Sequence, residues 1–477
     1  MALTLNETDV KINATFTPML TDLQGNILKH HGRTHAFHLF FVIEPGKEAM
    51  AKTWLKKFAG TKVTSGLKQL QDTDKHHADK NFDGGLFYTV SLSKTGYNKL
   101  GVADGIIPDS PSFRKGMRSQ KAVLADKPAE WETGFKKKID GLIIIADAQV
   151  SRLTAEKNIM LVEISKFATI VVVQKGKILR NKHRTGIEHF GYADGVSQPN
   201  YLAATPTQPN PTPPTVPAQW DDDHALLKNV LVKDKGGKTA DSYGSYFVFR
   251  KLEQDVAAFK TKEEEISARF NAGAGVKDNA GTPNPELAGA MVVGRFEDGS
   301  EVVNDSNERG IDNNTQKLKN DFDYRDDTAA LKCPFHAHIR ITNPRADVAP
   351  APNHDFAKNV RLTRRGIPFN DIGRDEFDLE HDKPSGGVGL LFMCYNSRLE
   401  DQFEFIQSRW ANKGDIGGHF VGQDPIIGQG PNTTDRKLPG QWNTASGLKS
   451  VKDFRDFVEN KGGEYFFTPS ISFLKSL

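Results

Sequence analysis

Cysteine is nearly absent: Cys333 and Cys394 are the only two among 477 residues. That excludes a disulfide-dense scaffold and any four-cysteine zinc or iron–sulfur site. An excess of one charge is lacking too, because 63 Lys+Arg against 60 Asp+Glu leaves a formal +3, too weak a field to argue for a nucleic-acid partner. No run approaches the ~20 apolar residues that a membrane span needs. The opening MALTLNETDVKINAT also lacks the basic start and apolar core of a secretory signal. A reducing, cytoplasmic setting is the expectation. What remains, 37% hydrophobic and 26% charged residues, is the composition of an ordinary globular protein of two or three domains.

Proline is common only locally. Six prolines between Pro206 and Pro217 deny backbone donors to any helix or central strand and mark an exposed linker or long loop. Before it, short apolar runs read as strands: Ala36 to Ile43, Leu86 to Leu92, Leu142 to Ala146 and Thr169 to Val173. Helix-like stretches lie near Lys47 to Ala59 and Ser151 to Ile164. The rhythm returns after the linker, with strands at Tyr246 to Arg250, Phe335 to Thr342 and Gly389 to Tyr395 and a charged amphipathic helix at Gln254 to Phe270. Two similar α+β halves are expected, 1–205 and 241–477, joined by a proline-rich connection over 206–240. A late helix is marked by the stripe Leu399, Phe403, Ile406 and Trp410, with Glu404 at its edge.

Three segments carry groups suited to chemistry. In Cys333-Pro334-Phe335-His336-Ala337-His338-Ile339-Arg340, an extended chain places His336, His338 and Arg340 on one face, whereas a helical turn starting at Pro334 does not. An isolated histidine pair is more often a half-exposed strand than a ligand set, yet one imidazole suffices as the axial ligand of haem iron. In Gly191-Tyr192-Ala193-Asp194-Gly195 a tight turn accounts for the glycines, and it can also project Asp194 into a cavity as an acid–base group. In Arg361-Leu362-Thr363-Arg364-Arg365-Gly366-Ile367-Pro368-Phe369 the basic cluster is either a solvated face or a source of one fixed inward charge.

Together these segments resemble the dye-decolourising peroxidase family of haem enzymes, in its longer-chain members. The GxxDG turn, the Cys-Pro-x-x-Ala-His-Ile-Arg segment and the Arg-Arg-Gly-Ile-Pro-Phe segment occur in order. Further similarity lies in Thr21 to Lys29, Gln402 to Gln407 and Gly463 to Phe467. The resemblance implies two ferredoxin-like domains, each an antiparallel sheet with helices packed on it. They would form a dimeric α+β barrel-like fold with haem b bound between sheet and helices. It implies His338, and not His336, as the iron ligand, Asp194 as the distal acid–base carboxylate and Arg364 as the distal arginine. Leu390 and Phe392 would line the distal pocket, Glu404 would accept the proximal imidazole N–H, and Arg345 would hold a haem propionate or else form a surface salt bridge.

The implied activity is a peroxidase that reduces hydrogen peroxide and, through an iron–oxo haem, oxidises bulky organic donors such as anthraquinone dyes and phenols. An aspartic acid side chain ordinarily has a pKa of about 3.9 and a histidine about 6.5, so a distal carboxylate favours an acidic optimum. Two alternatives stay open: a haem-binding or haem-handling protein without physiological turnover, and a non-haem metal hydrolase built on His336, His338 and a carboxylate.

Overall fold

The computed structural model describes residues 3–203, 225–271, 276–311, 320, 322–348, 354–416, 419–431, 434–445 and 447–477. The proline-rich run 206–217 lies outside them. Eight principal strands lie in one ten-stranded sheet. They are β1 (His35–Ile43), β2 (Phe87–Leu92), β3 (Gly141–Asp147), β4 (Ala168–Lys177), β5 (Tyr243–Gln254), β6 (Ile367–Asn370), β7 (Val388–Asn396) and β8 (Val458–Thr468). The order is β6-β7-β5-β8-β2-β3-β1-β4, and the printed ladders between these strands are antiparallel.

Each half repeats one topology. Numbered within its half, the first strand lies beside the third and the fourth, and the second pairs with the third. This is the ferredoxin-like arrangement expected of α+β halves. In the first half the strands are covered by α1 (Glu48–Thr61), α2 (Gly66–Ala78) and α3 (Val150–Ile164). The buried Leu153, Met160 and Ile164 of α3 recur at helical spacing, the stripe that packs on a sheet.

The halves join where β8 meets β2 at Phe467 and Leu92. Gln24, from the Thr21 to Lys29 segment, staples this junction: its side chain donates to the carbonyls of Val90 and Pro469 at 2.9 and 2.8 Å and accepts from Val90 N–H at 2.9 Å. At the opposite edges β4 approaches β6. Gln174 donates to Asp371 at 2.9 Å, and a Cβ on Gly176 would lie 2.6 Å from Ile367 Cγ2. The sheet therefore curls into a barrel whose interior takes aromatic residues from both halves, Phe40 resting 4.7 Å from Phe249.

Several sequence expectations change here. Part of the expected connection, residues 225–233, packs on the second half: Leu227, Val230 and Leu231 are buried and Val232–Lys233 pairs with β5. The stretch Phe335 to Thr342 is a turn followed by a short helix, not a strand, because Ala337 N–H bonds back to Pro334 C=O at 3.0 Å. The stripe from Leu399 to Trp410 is buried as expected, but its helix starts only at Phe403 and widens to π-type hydrogen bonding over Ile406–Ala411. β8 had no clear strand signature, since Gly462 and Gly463 interrupt it at a bulge.

Two predictions follow from this packing. Gly176→Ala forces apart β4 and β6 and is expected to cost about 1–3 kcal/mol; combined with Ile367→Ala, the loss should be smaller than the sum of the two single losses in urea unfolding. Second, burial pulls His38 and His189 down to about 4 and His336 to about 3. The folded chain thus binds fewer protons than the unfolded chain between those values and about 6.5. Stability present at neutral pH is lost as pH falls through that window, by up to about 1.4 kcal/mol per pH unit for each histidine. The urea midpoint should fall from pH 7 to pH 5, and less so in His38→Gln.

Candidate active site

The strands of the second half present two different faces. Phe247 and Phe249 of β5 turn into the barrel, whereas Arg250, Leu252 and Gln254 turn outward and face a cavity. In β7 the cavity residues are Leu390 and Phe392, in register with Leu252 and Arg250. The pair expected to share one face therefore does so, and forms an apolar floor together with Phe403 and Val458.

Asp194, the carboxylate expected on the distal side, comes from the loop after residues 186–187. Gly191 and Gly195 have φ of +102° and +78°, values that glycine adopts without strain and that let the chain reverse twice within five residues. Glu188 holds this loop. Its carboxylate accepts the N–H groups of Phe190 and Tyr192 at 2.9 and 3.0 Å and a hydrogen bond from Gln254. Burial pushes Glu188 up to about 7 against those bonds.

Asp194, so presented, receives Arg364 Nη1 at 2.9 Å on Oδ1, which also accepts Gly195 N–H at 2.7 Å. Oδ2 makes no hydrogen bond among the described residues. Arg364 is fixed in turn, with Nη2 donating to Ser197 C=O at 3.2 Å and its backbone N–H to Gln198 at 3.0 Å. Of the arginine cluster, Arg361 and Arg364 border the cavity. Arg365 turns the other way and donates to the carbonyls of Asn26 and Ile27 at 2.6 and 2.7 Å.

Across the Cys333 to Arg340 segment the structure separates the two histidines. Arg340 is wholly buried and clamped by Asp327 at 2.8 Å and Asp347 at 2.6 Å, which anchors the short helix His338–Thr342. Its first residue, His338, borders the cavity. His336 does not: it is enclosed near Arg436. Nδ1 of His338 lies 2.8 Å from Oδ2 of Asp424, whose other oxygen accepts the N–H groups of Ile426 and Ile427 at 2.7 and 3.0 Å. Burial pulls the imidazole down, but the charge and hydrogen bond of Asp424 outweigh it and raise His338 above its ordinary value. A carboxylate facing Nδ1 fixes the proton there and leaves Nε2 as the nitrogen available to a ligand.

Glu404 is not the acceptor expected for that imidazole. Phe403 and Glu404 are consecutive, and the helix that turns Phe403 to the cavity carries Glu404 away from it. Glu404 accepts from Ser112 at 2.8 Å, Gln120 at 3.1 Å and the phenol of Tyr465 at 2.8 Å. Asp424, 86 residues from His338 in sequence, was not found by sequence reasoning, and neither Asp424 nor the loop anchor Glu188 carries a local spacing signal. Arg345 borders the cavity and is 2% exposed. Its guanidinium is held by the carbonyls of Asn320 and Phe322 at 2.9 and 2.7 Å and stacks over Phe322, so it is a buried group and not a surface one.

The donor set suits a planar group with one axial ligand: a single oriented imidazole, an apolar floor and arginines at the rim. No cluster of three or more His, Cys, Asp or Glu side chains able to hold a metal ion occurs among the described residues, and among them no helix is long and apolar enough to cross a membrane.

Comparisons with known proteins agree with this geometry. A model of the DyP dimeric alpha+beta barrel domain matches residues 22–178. The multifunctional dye peroxidase DyP2 of Amycolatopsis sp. is 37% identical over 472 residues, covering 96% of both chains. A dye-decolorizing peroxidase of Exidia glandulosa is 30% identical, covering 95% of this chain and 86% of its own. The solved DyP-type peroxidase of Anabaena sp. superposes with a TM-score of 0.90 at 37% identity over 100% of each chain. With such identity along nearly its whole length, the chain belongs to the dye-decolourising peroxidase family of haem enzymes and is a peroxidase oxidoreductase.

Proposed function

We propose that the chain binds one haem b in this cavity, where His338 would hold its iron, and uses hydrogen peroxide to oxidise bulky organic donors of the anthraquinone-dye and phenol class. The observation that carries this reading is the Asp194–Arg364 ion pair, 2.9 Å long, bordering the same cavity as an imidazole whose Nδ1 is engaged by Asp424. A protein that only stores or delivers haem needs the axial ligand and anchors for the propionates, but has no use for a carboxylate and a guanidinium set together at the cavity. In this reading the domains are 1–205, carrying Asp194, and 241–477, carrying His338 and Arg364, so one site draws on both halves.

Haem held by His338 would supply the redox chemistry that peroxide reduction needs. The chain's own residues move the proton. Oδ1 of Asp194 is held by Arg364 and Gly195, and Oδ2 takes a proton from the inner oxygen of peroxide and returns it to the outer oxygen, which leaves as water. Arg364 stays cationic and stabilises the negative charge that grows as the bond breaks, an electrostatic contribution set in place before reaction. Asp424 keeps the His338 ring in one tautomer and makes Nε2 more electron-donating. Leu390 and Phe392 keep the floor dry, which strengthens each of these charges. Arg345 and Arg361 are the cations that would meet the propionates.

His338→Ala should abolish ordered haem ligation, read as loss of the Soret band after reconstitution, while His336→Ala should retain it; the reverse result would place the ligand at the wrong histidine. Asp424→Asn should keep haem but lower peroxide reactivity by about 10–100-fold. Asp194→Asn should slow the reaction with peroxide by about 100- to 10,000-fold with haem retained, in stopped-flow absorbance. Wild-type rates in that variant, or a dye-oxidation optimum above neutrality, would remove Asp194 from the role given to it.

A further inference from the structure

Glu404 has no part in the chemistry above, yet it sits in a buried polar cluster behind the cavity floor. Tyr465 of β8 is fully enclosed. Its register partner is Val248, and its neighbour Phe466 is the residue that turns into the barrel. Tyr465 therefore lies on the cavity side of the sheet. Its phenol donates to Glu404 Oε1 at 2.8 Å, and the same carboxylate accepts only neutral donors besides, Ser112 and Gln120. Glu404 makes no ion pair among the described residues. The Tyr465 ring meets Phe403 edge-on at 6.2 Å, and Phe403 lies 6.1 Å from Phe392; both phenylalanines border the cavity.

We propose that Tyr465 is an internal redox site, oxidised by one electron after peroxide has reacted in the cavity, with Glu404 as the base that receives its proton. This rests on the peroxidase reading given above. In the step, Tyr465 gives one electron to the peroxide-oxidised cofactor through Phe403 and Phe392. The phenolic O–H bond breaks, and the proton moves along the existing hydrogen bond to Glu404 Oε1, leaving a neutral phenoxyl radical beside a protonated carboxyl. One electron from an organic donor and return of the same proton restore the pair. An oxidising equivalent is thereby held inside the protein, apart from the cavity.

Two physical points favour this pair over other tyrosines at the cavity. Burial and the Glu404 charge raise the Tyr465 phenol well above its ordinary value, so phenolate is not available and oxidation must release a proton; burial likewise raises Glu404, which makes it a better acceptor. Tyr192 also faces a carboxylate, Glu263, but Lys260 holds that group at 2.8 Å, and an ammonium-bound carboxylate is a weaker base. Among the described residues the hydroxyl of Tyr324 has no carboxylate hydrogen-bonded to it to take its proton.

The test is freeze-quench electron paramagnetic resonance of the haem-loaded enzyme mixed with one equivalent of peroxide, followed in parallel by optical absorbance. The wild type should give an organic radical whose spectrum narrows when tyrosine is ring-deuterated. Tyr465→Phe should lose most of that signal, and Glu404→Gln, which keeps the phenol but removes the base, should lose it as well, while both variants still show the optical change with peroxide. A signal that persists in either variant, that disappears only in Tyr192→Phe, or that is absent from a wild type that reacts optically overturns the proposal. Should Tyr465→Phe fail to bind haem, Glu404→Gln and the 3-fluorotyrosine-labelled wild type decide it: an unshifted spectrum with the label excludes tyrosine. Absence of any optical change in the wild type would instead fell the peroxidase reading, and this one with it.

Discussion

Arg364 and Arg365 occupy adjacent positions, and the alternation of an extended chain sends them to opposite sides. Arg364 crosses to Asp194, 170 residues away in sequence, while Arg365 donates to the carbonyls of Asn26 and Ile27. Each guanidinium is a charge that folding takes wholly or partly out of water, tolerable only because its partners are preset. Burial pulls Arg365 down to about 10, a measure of how little solvent reaches it. The same dipeptide thus ties the second half to the first half's N-terminal segment and fixes the cation of the site.

The asymmetry between the halves explains why this cavity lies against the sheet of the second half. Both have the same strand order, but the first connects β1 to β2 through residues 44–86, whereas the second takes residues 255–366 to pass from β5 to β6. The longer connection carries His338, Arg345 and the clamp of Arg340 by Asp327 and Asp347. It stands off the sheet where α1, α2 and α3 cover the first half. A strand with the barrel on one face and a cavity on the other is apolar on both, which is why Leu390 and Phe392 of β7 alternate with Leu391 and Met393, residues buried in the core.

How much of this was legible follows from how local each signal is. The strands β1, β3 and β4 were visible because long apolar runs rich in β-branched residues declare themselves. β8 was hidden by two glycines and a bulge that the fold needs there: a Cβ on Gly463 would lie 2.5 Å from the carbonyl oxygen of Phe249. Asp194 was legible because a turn needing positive φ at Gly191 and Gly195 leaves a glycine signature around it. The choice of His338 over His336 was not decided by spacing; it depends on a helix start that only the buried Arg340 clamp dictates. Glu404 was misassigned and Asp424 missed for one reason: the contact between an imidazole and its acceptor is long-range, and neither residue's neighbours reveal which carboxylate arrives.

The carboxylates of the site differ in role because each has a different partner. Asp194 is paired with a guanidinium through one oxygen; Asp424 is committed to an imidazole and two backbone amides; Glu188 is committed to the loop that holds Asp194; Glu404 faces only neutral donors. Division of labour among chemically similar groups is set by environment and not by residue type. It also sets the working range of the fold. A distal carboxylate serves as base in mildly acidic solution, where an imidazole would already be protonated, but the same acidity charges His38, His189 and His336 once they leave their enclosed sites. Acid thus favours the distal chemistry proposed for Asp194 while it weakens the scaffold, so the window of that chemistry is bounded below by buried histidines lying outside the proposed proton-transfer path.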